Sequence, residues 1–289
     1  MTMKQILNVR RGFEPHWVGD GFPVRSLFSY SADADVHDPF LLLDYAAPFE
    51  FSPGAAPRGV GEHPHRGFET VTIVYQGELE HRDSGGNQGK IGPGDVQWMT
   101  AASGVVHEEF HSEAFTQRGG TFEVAQLWVN LPAREKMSPP RYQEIRDADI
   151  PRVELPDGAG TARVIAGEFA GTRGPATTVT PIIVCDLQLA AGRAAELVLP
   201  HGYTTMLVVQ HGAVVLNGSE TVDGVALATF ERAGERIGVE CTEDARLLLL
   251  SGQPIGEPVV GQGPFVMNTR EEIRQAMEDY QSGRMGTLA

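Results

Sequence analysis

The stretch from Gly61 to His111 sets the tightest limit on what this chain can fold into. It carries two short clusters of metal-competent side chains, His63-Pro64-His65 and His107-Glu108-Glu109, each on a segment that reads as a strand. Side chains alternate faces along a strand, so residues two apart point the same way. His63 and His65 therefore share a face, as do His107 and Glu109. If the two strands are neighbours, three imidazoles and one carboxylate converge. Such a borderline N/O donor set suits iron, nickel, copper, manganese or zinc. Four protein ligands leave positions open on a metal that prefers five or six, which is the outline of a catalytic site.

The surrounding grammar is that of an all-β protein. Thr70–Tyr75 is β-branched and aromatic, Gln76-Gly77 is a turn, and Glu78–Arg82 is the return strand. Asp83–Gly89 is a polar loop, Pro93-Gly94-Asp95 turns into Val96–Met99, and Val124–Asn130 is a further strand. Short strands at regular spacing with almost no helical periodicity point to a barrel or sandwich. Residues 132–150, polar and proline-containing, read as a linker between an N-terminal domain (1–131) and a C-terminal one (151–289). The second half repeats the first weakly: PHGYTTMLVVQHG at 200–212 parallels PHRGFETVTIVYQG at 64–77. Leu199, His201 and Thr205 stand where His63, His65 and Glu69 stand, so the second domain reads as a duplicate without a metal. A helix over 269–282 closes the chain, with Ile273, Ala276, Met277 and Tyr280 on one stripe and Thr269 or Asn268 as its cap.

Composition excludes several function classes. The formal net charge is −15 with no Lys/Arg block, which argues against direct contact with nucleic acid or an anionic membrane. No run of 18 apolar residues and no signal-peptide core occur, so a cytoplasmic location is the expectation. Cys185 and Cys241 sit in apolar strand-like runs and read as buried free thiols.

His107 to His111 is literally H-E-x-x-H, the zinc-protease signature, but that motif works only on a helix. The Gly104-Val105-Val106 lead-in and the unused His63 and His65 favour the strand. Glu69 shares the parity of His65 and is expected to accept an imidazole N–H from outside the ligand set. His81 reads as a solvated residue, His111 as a residue near the pocket mouth, Trp98 and Phe110 as core, and Asp95 as a backbone acceptor in its turn.

The order His-x-His-x-x-x-Glu, Pro-Gly-Asp and Gly-x-x-His resembles the two motifs of the cupin superfamily. More narrowly, GFPVRSLF, DPFLLLD, HPHRGFETV, GDVQWMTAASGVVHEE, LWVNLP, PPRYQEI and GPFVMNTREEIRQAMEDYQSGRMG resemble the pirin family over nearly the whole chain. The resemblance implies two cupin-type β-barrels (jelly rolls) packed face to face, a metal in the first only, and a short C-terminal helix. It implies His63, His65, His107 and Glu109 as ligands of one divalent metal, iron(II) first, with nickel, copper, manganese and zinc as alternatives. Several pirins cleave quercetin as 2,3-dioxygenases, so the expected activity is oxidative cleavage of a flavonol by O₂ with release of CO, Glu109 acting as the base. Others are redox-sensitive regulators, so the alternative is a metal-dependent partner of a transcription factor or metabolic enzyme, working through the surface near Arg66. A monomer is expected.

Overall fold

The structure, a computed structural model, describes residues 2–288. The alternation read from the sequence becomes two compact units, each with a seven-stranded and a four-stranded antiparallel sheet. The His-bearing unit comprises Glu14–Asp35, Phe40–Asp147 and the chain from Ile255 on. Its large sheet runs Arg141–Ile145, Val96–Thr100, Phe68–Gln76, Gly120–Asn130, Phe40–Phe51, Phe22–Ser29 and Pro15–Val18. Its small sheet runs Gly59–His65, Val105–His111, Leu79–Asp83 and Gln88–Ile91. Phe22, Val24, Ala46, Val74, Phe122 and Val124 of the large sheet pack with Leu79 and Ile91 of the small one. Each such large side chain contributes about 1.5–3 kcal/mol on burial.

The other unit contains the chain up to Phe13, Val36–Pro39 and Ala148–Pro254. Its large sheet runs Ile6–Arg10, Ala226–Phe230, Thr204–His211, Ala245–Gly252, Ile182–Leu189, Gly160–Ala166 and Arg152–Leu155, and its small sheet Ala194–Val198, Arg236–Cys241, Ala213–Leu216 and Glu220–Asp223. Position by position this is the strand order of the His-bearing unit, so the weak sequence repeat is a structural duplication. Its core is closed by Leu197, Leu199, Ile237, Val239, Leu207 and Leu249, while His201 is exposed. Cys185 and Cys241 are free and buried, as expected.

The domain boundaries differ from the sequence reading in two ways. Residues 132–150 are not a linker. Arg141–Ile145 is an edge strand paired with Val96–Thr100, Tyr142 lying opposite Met99. One side of an edge strand faces solvent, so its polar residues hide the alternation. The corresponding edge strand of the other unit, Ile6–Arg10, comes from the start of the chain and pairs with Ala226–Phe230. The second difference is the C-terminal segment, which belongs to the His-bearing unit rather than to residues 151–254. The helix spans Arg270–Gln281, with Thr269 and Glu272 forming a full capping box. Its stripe cannot say which unit it will cover. Ile273 and Ala276 pack with Val106, Phe265, Met267 and Met285, beside the strand that carries His107. Among the described residues no helix is long and apolar enough to cross a membrane.

Two buried cations fasten this segment. Arg66, 4% exposed, donates through Nη1 to Asp279 Oδ2 at 2.7 Å and through Nε to the Ser103 carbonyl at 2.6 Å. Lys136, inside the expected linker, donates to Gly67 O (2.6 Å), Asn130 Oδ1 (2.6 Å) and Val266 O (2.9 Å). Gly67 adopts φ +92°, and a Cβ there would lie 2.0 Å from the Val266 carbonyl oxygen, so only glycine fits against the returning chain. Lys136→Met would take this donor from the Gly67 and Val266 carbonyls, at about 1–3 kcal/mol for each unsatisfied group before relaxation, while Asn130 Oδ1 keeps the Leu131 N–H. We expect a lower chemical-denaturation midpoint for the variant, and an unchanged midpoint would refute the fastening role.

Candidate metal centre

Strand pairing brings the two histidine clusters together. Gly59–His65 and Val105–His111 are antiparallel neighbours with His63 opposite His107 and His65 opposite Val105. The ring centroids of His63, His65 and His107 lie 4.3–4.9 Å apart. One ring nitrogen of each falls within 4.8 Å of the others. His63 is half-buried, whereas His65 and His107 are buried, so solvent reaches the triad at His63.

Each ring is oriented through its distal nitrogen. His63 Nδ1 is 2.8 Å from the Gly61 carbonyl oxygen. His65 bonds the backbone of Pro264, an acceptor brought by the C-terminal segment. His107 Nδ1 lies 3.3 Å from His81 Nδ1. His65 Nδ1 and His107 Nε2 are buried with no hydrogen-bond partner. Burial, reinforced by the neighbouring imidazoles, pushes the His65 and His107 pKa values well below the usual histidine range. Both are then neutral at pH 7, so each ring keeps one unprotonated nitrogen that can serve as a donor atom. A divalent cation fits such a donor set.

Glu109 stands slightly apart. The sequence reading places it in one set with His63, His65 and His107, but it clusters with His107 and His81 instead. Its Oε1 accepts from Gln97 Nε2 at 3.0 Å; Thr72 Oγ1 lies 3.3 Å away but directs its one proton to Gln126 Oε1 at 2.6 Å, and Oε2 lies outside both contacts. His81 is 4% exposed and not solvated. It stacks on Tyr142 at 4.9 Å and reaches Asp83 Oδ2 through Nε2 at 3.3 Å. The signal is present in the sequence: buried Leu79 fixes the strand's parity, which sends His81 and Asp83 inward and Glu80 and Arg82 outward. Gln97, Thr72 and Tyr142 carry no comparable pattern.

The H-E-x-x-H string lies on a strand, Val105–His111, so the protease geometry is absent. Glu108 points outward to Arg82. His111 is buried beneath an outer groove that it helps to line; its Nε2 meets the Gly21 carbonyl at 2.9 Å and its ring packs between Phe51 and Phe122. Trp98 is buried, but Phe110 is half-buried and lines an outer groove of about 680 Å³ with Glu80, Arg82 and Glu108. Asp95 accepts from Gly92 N and Asp147 N, as its turn requires. Arg66, engaged with Asp279, offers no open surface.

Family models described as Pirin and as the Pirin C-terminal cupin domain match residues 21–129 and 184–286. The chain belongs to the pirin family. A Pseudomonas aeruginosa protein with the provisional name quercetin 2,3-dioxygenase is 57% identical over 98% of each chain. A pirin-like protein of Caulobacter vibrioides is 41% identical over 98% of this chain and 100% of its own. The crystal structure of a quercetin 2,3-dioxygenase from Acinetobacter baumannii superposes with a TM-score of 0.97 at 51% identity, covering 100% of both chains. Both units of this pirin are thus cupin domains.

One conspicuous acid of this pirin does not serve the triad. Gly67 turns the chain between His65 and Glu69 and resets the strand parity, so Phe68 and Thr72 face the histidines while Glu69 faces away. Glu69 accepts instead from Thr100 Oγ1 at 2.7 Å. Burial raises its pKa to about 7 against the opposing pull of that hydrogen bond. A raised carboxyl pKa means that the folded state holds its proton more tightly than the unfolded chain. Stability therefore falls as pH rises from about 4.5 to about 7 and is flat above, an effect of about 3 kcal/mol at one pKa unit per 1.36 kcal/mol. Glu69→Gln should remove that slope and raise the unfolding free energy at pH 8. Equal slopes for both proteins in denaturant titrations from pH 4.5 to pH 8 would refute this.

Proposed function

We propose that this chain is a metal-dependent dioxygenase of flavonols such as quercetin, with iron(II) as its resident metal and nickel, copper, manganese and zinc as alternatives. The carrying observation is the gathering of one ring nitrogen each from His63, His65 and His107 within 4.8 Å, with His65 Nδ1 and His107 Nε2 buried and without a hydrogen-bond partner. His63, His65 and His107 would hold the metal, and Glu109 would add the carboxylate. When bound, the metal supplies Lewis acidity toward the flavonol 3-oxygen and a site for O₂ chemistry.

The chain's own residues do the rest. Gln97 fixes Glu109 through Oε1, which leaves Oε2 to take the proton of the 3-hydroxyl. A planar flavonol approaches over half-buried His63. The buried surroundings of His65 and His107 keep water from the reacting face. Overall one flavonol and one O₂ give the ring-opened ester and one CO, which balances without another oxidant or reductant. The Pseudomonas relative, provisionally named for quercetin cleavage, and the Acinetobacter quercetin 2,3-dioxygenase support the same substrate class.

Protein reconstituted with iron(II) should consume quercetin aerobically with stoichiometric CO release. His63→Ala and His107→Ala should lose both metal and turnover. Glu109→Gln should reduce turnover by about 10²-fold or more, the usual contribution of a positioned base. Undiminished turnover by metal-free protein or by His107→Ala would overturn the proposal.

A further inference from the structure

His107 belongs to two triads, one with half-buried His63 and buried His65, and a fully buried one with His81 and Glu109. They differ in one respect. The first contains two nitrogens with no partner, whereas the second is internally hydrogen-bonded. Its protons can be assigned from its ends. The Glu109 carboxylate can only accept, so the Gln97 atom 3.0 Å from it is the amide nitrogen, a donor. The same nitrogen lies 3.2 Å from His81 Nδ1, which must then be the acceptor. The His81 proton is left on Nε2, and it points at Asp83 Oδ2, again an acceptor only. His81 Nδ1 has one lone pair, shared between the Gln97 amide and the His107 nitrogen 3.3 Å away; two facing lone pairs would repel, so the His107 proton sits on Nδ1 and its lone pair on Nε2.

We infer that His81 is the positioning residue of the metal centre. Held by Asp83 and Gln97, it fixes the tautomer and ring orientation of His107, and the second triad supports one metal rather than binding another. This rests on the metal reading above. Asp83 is itself clamped by the backbone N–H groups of Gly85 and Asn87 and by the Asn87 amide. Backbone carbonyls orient His63 and His65; only His107 is oriented by a side chain, so only there can one substitution remove the acceptor.

The test is Co²⁺ binding, read as metal per chain, dissociation constant and d–d spectrum. Wild type should bind one Co²⁺. His81→Phe, which keeps a ring on Tyr142 but has no acceptor, should still bind one, about 10- to 100-fold more weakly and with shifted d–d bands, the usual cost of losing an orienting partner. His81→Asn, which can offer a carbonyl oxygen near the lost Nδ1, should recover most of the affinity. Asp83→Asn should weaken binding in the same direction with His81 in place, which keeps the inference open to test if His81→Phe does not fold. Two Co²⁺ per wild-type chain with one lost in His81→Phe, or unchanged affinity in both His81→Phe and Asp83→Asn, would overturn it. No Co²⁺ uptake by wild type, or uptake indifferent to His63→Ala, would instead strike the metal reading itself.

Discussion

The site depends on a register. Opposite His107 stands His63, and a slip of one residue in that antiparallel pair would send one imidazole to the outer face. Several devices fix the pairing. Leu79 and Ile91 anchor the small sheet in the apolar core, and His111 is locked among phenylalanines at the far end of the His107 strand. Val106 is covered by the C-terminal segment. The apolar residues of this unit thus set the geometry of the polar ones, and the carbonyls of Gly61 and Pro264 trim the final ring orientations.

Duplication shows what the site needs beyond the fold. Both units share one strand order, yet only one gathers nitrogen donors among the described residues. In the other, Leu197, Leu199, Ile237 and Val239 fill the interior of the small sheet as ordinary core. Filling that space with leucine and isoleucine replaces polar groups that would each need a partner with side chains that need none. The same framework therefore carries a packed core in one copy and a cluster of nitrogen donors in the other.

Local pattern makes much of this legible. His63, His65 and His107 are readable because a period of two is a property of the strand itself, and the capping box at Thr269 because it spans four residues. What stays hidden depends on long-range pairing. Nothing near Arg141–Ile145 announces that it will bond Val96–Thr100, and nothing near Pro264 announces an acceptor for His65. Glu69 misleads for a local reason: the left-handed Gly67 interrupts the strand, so counting by two across it gives the wrong face. Lys136 looks like linker polarity, although its ammonium is buried against three oxygens.

The exchange of chain ends bears on biosynthesis. An ordinary two-domain chain can finish its first domain while the second is still being translated. Here the unit bearing the triad lacks the helix over Val106, the partner of Arg66 and the acceptor of His65 until residues beyond Ile255 have left the ribosome. The strand Ile6–Arg10, made long before its partner, must in turn wait unpaired for Ala226–Phe230. Each unit is thus completed only after a distant segment has been made. A nascent chain arrested before Ile255 would carry every triad histidine and still lack the groups that finish the cluster.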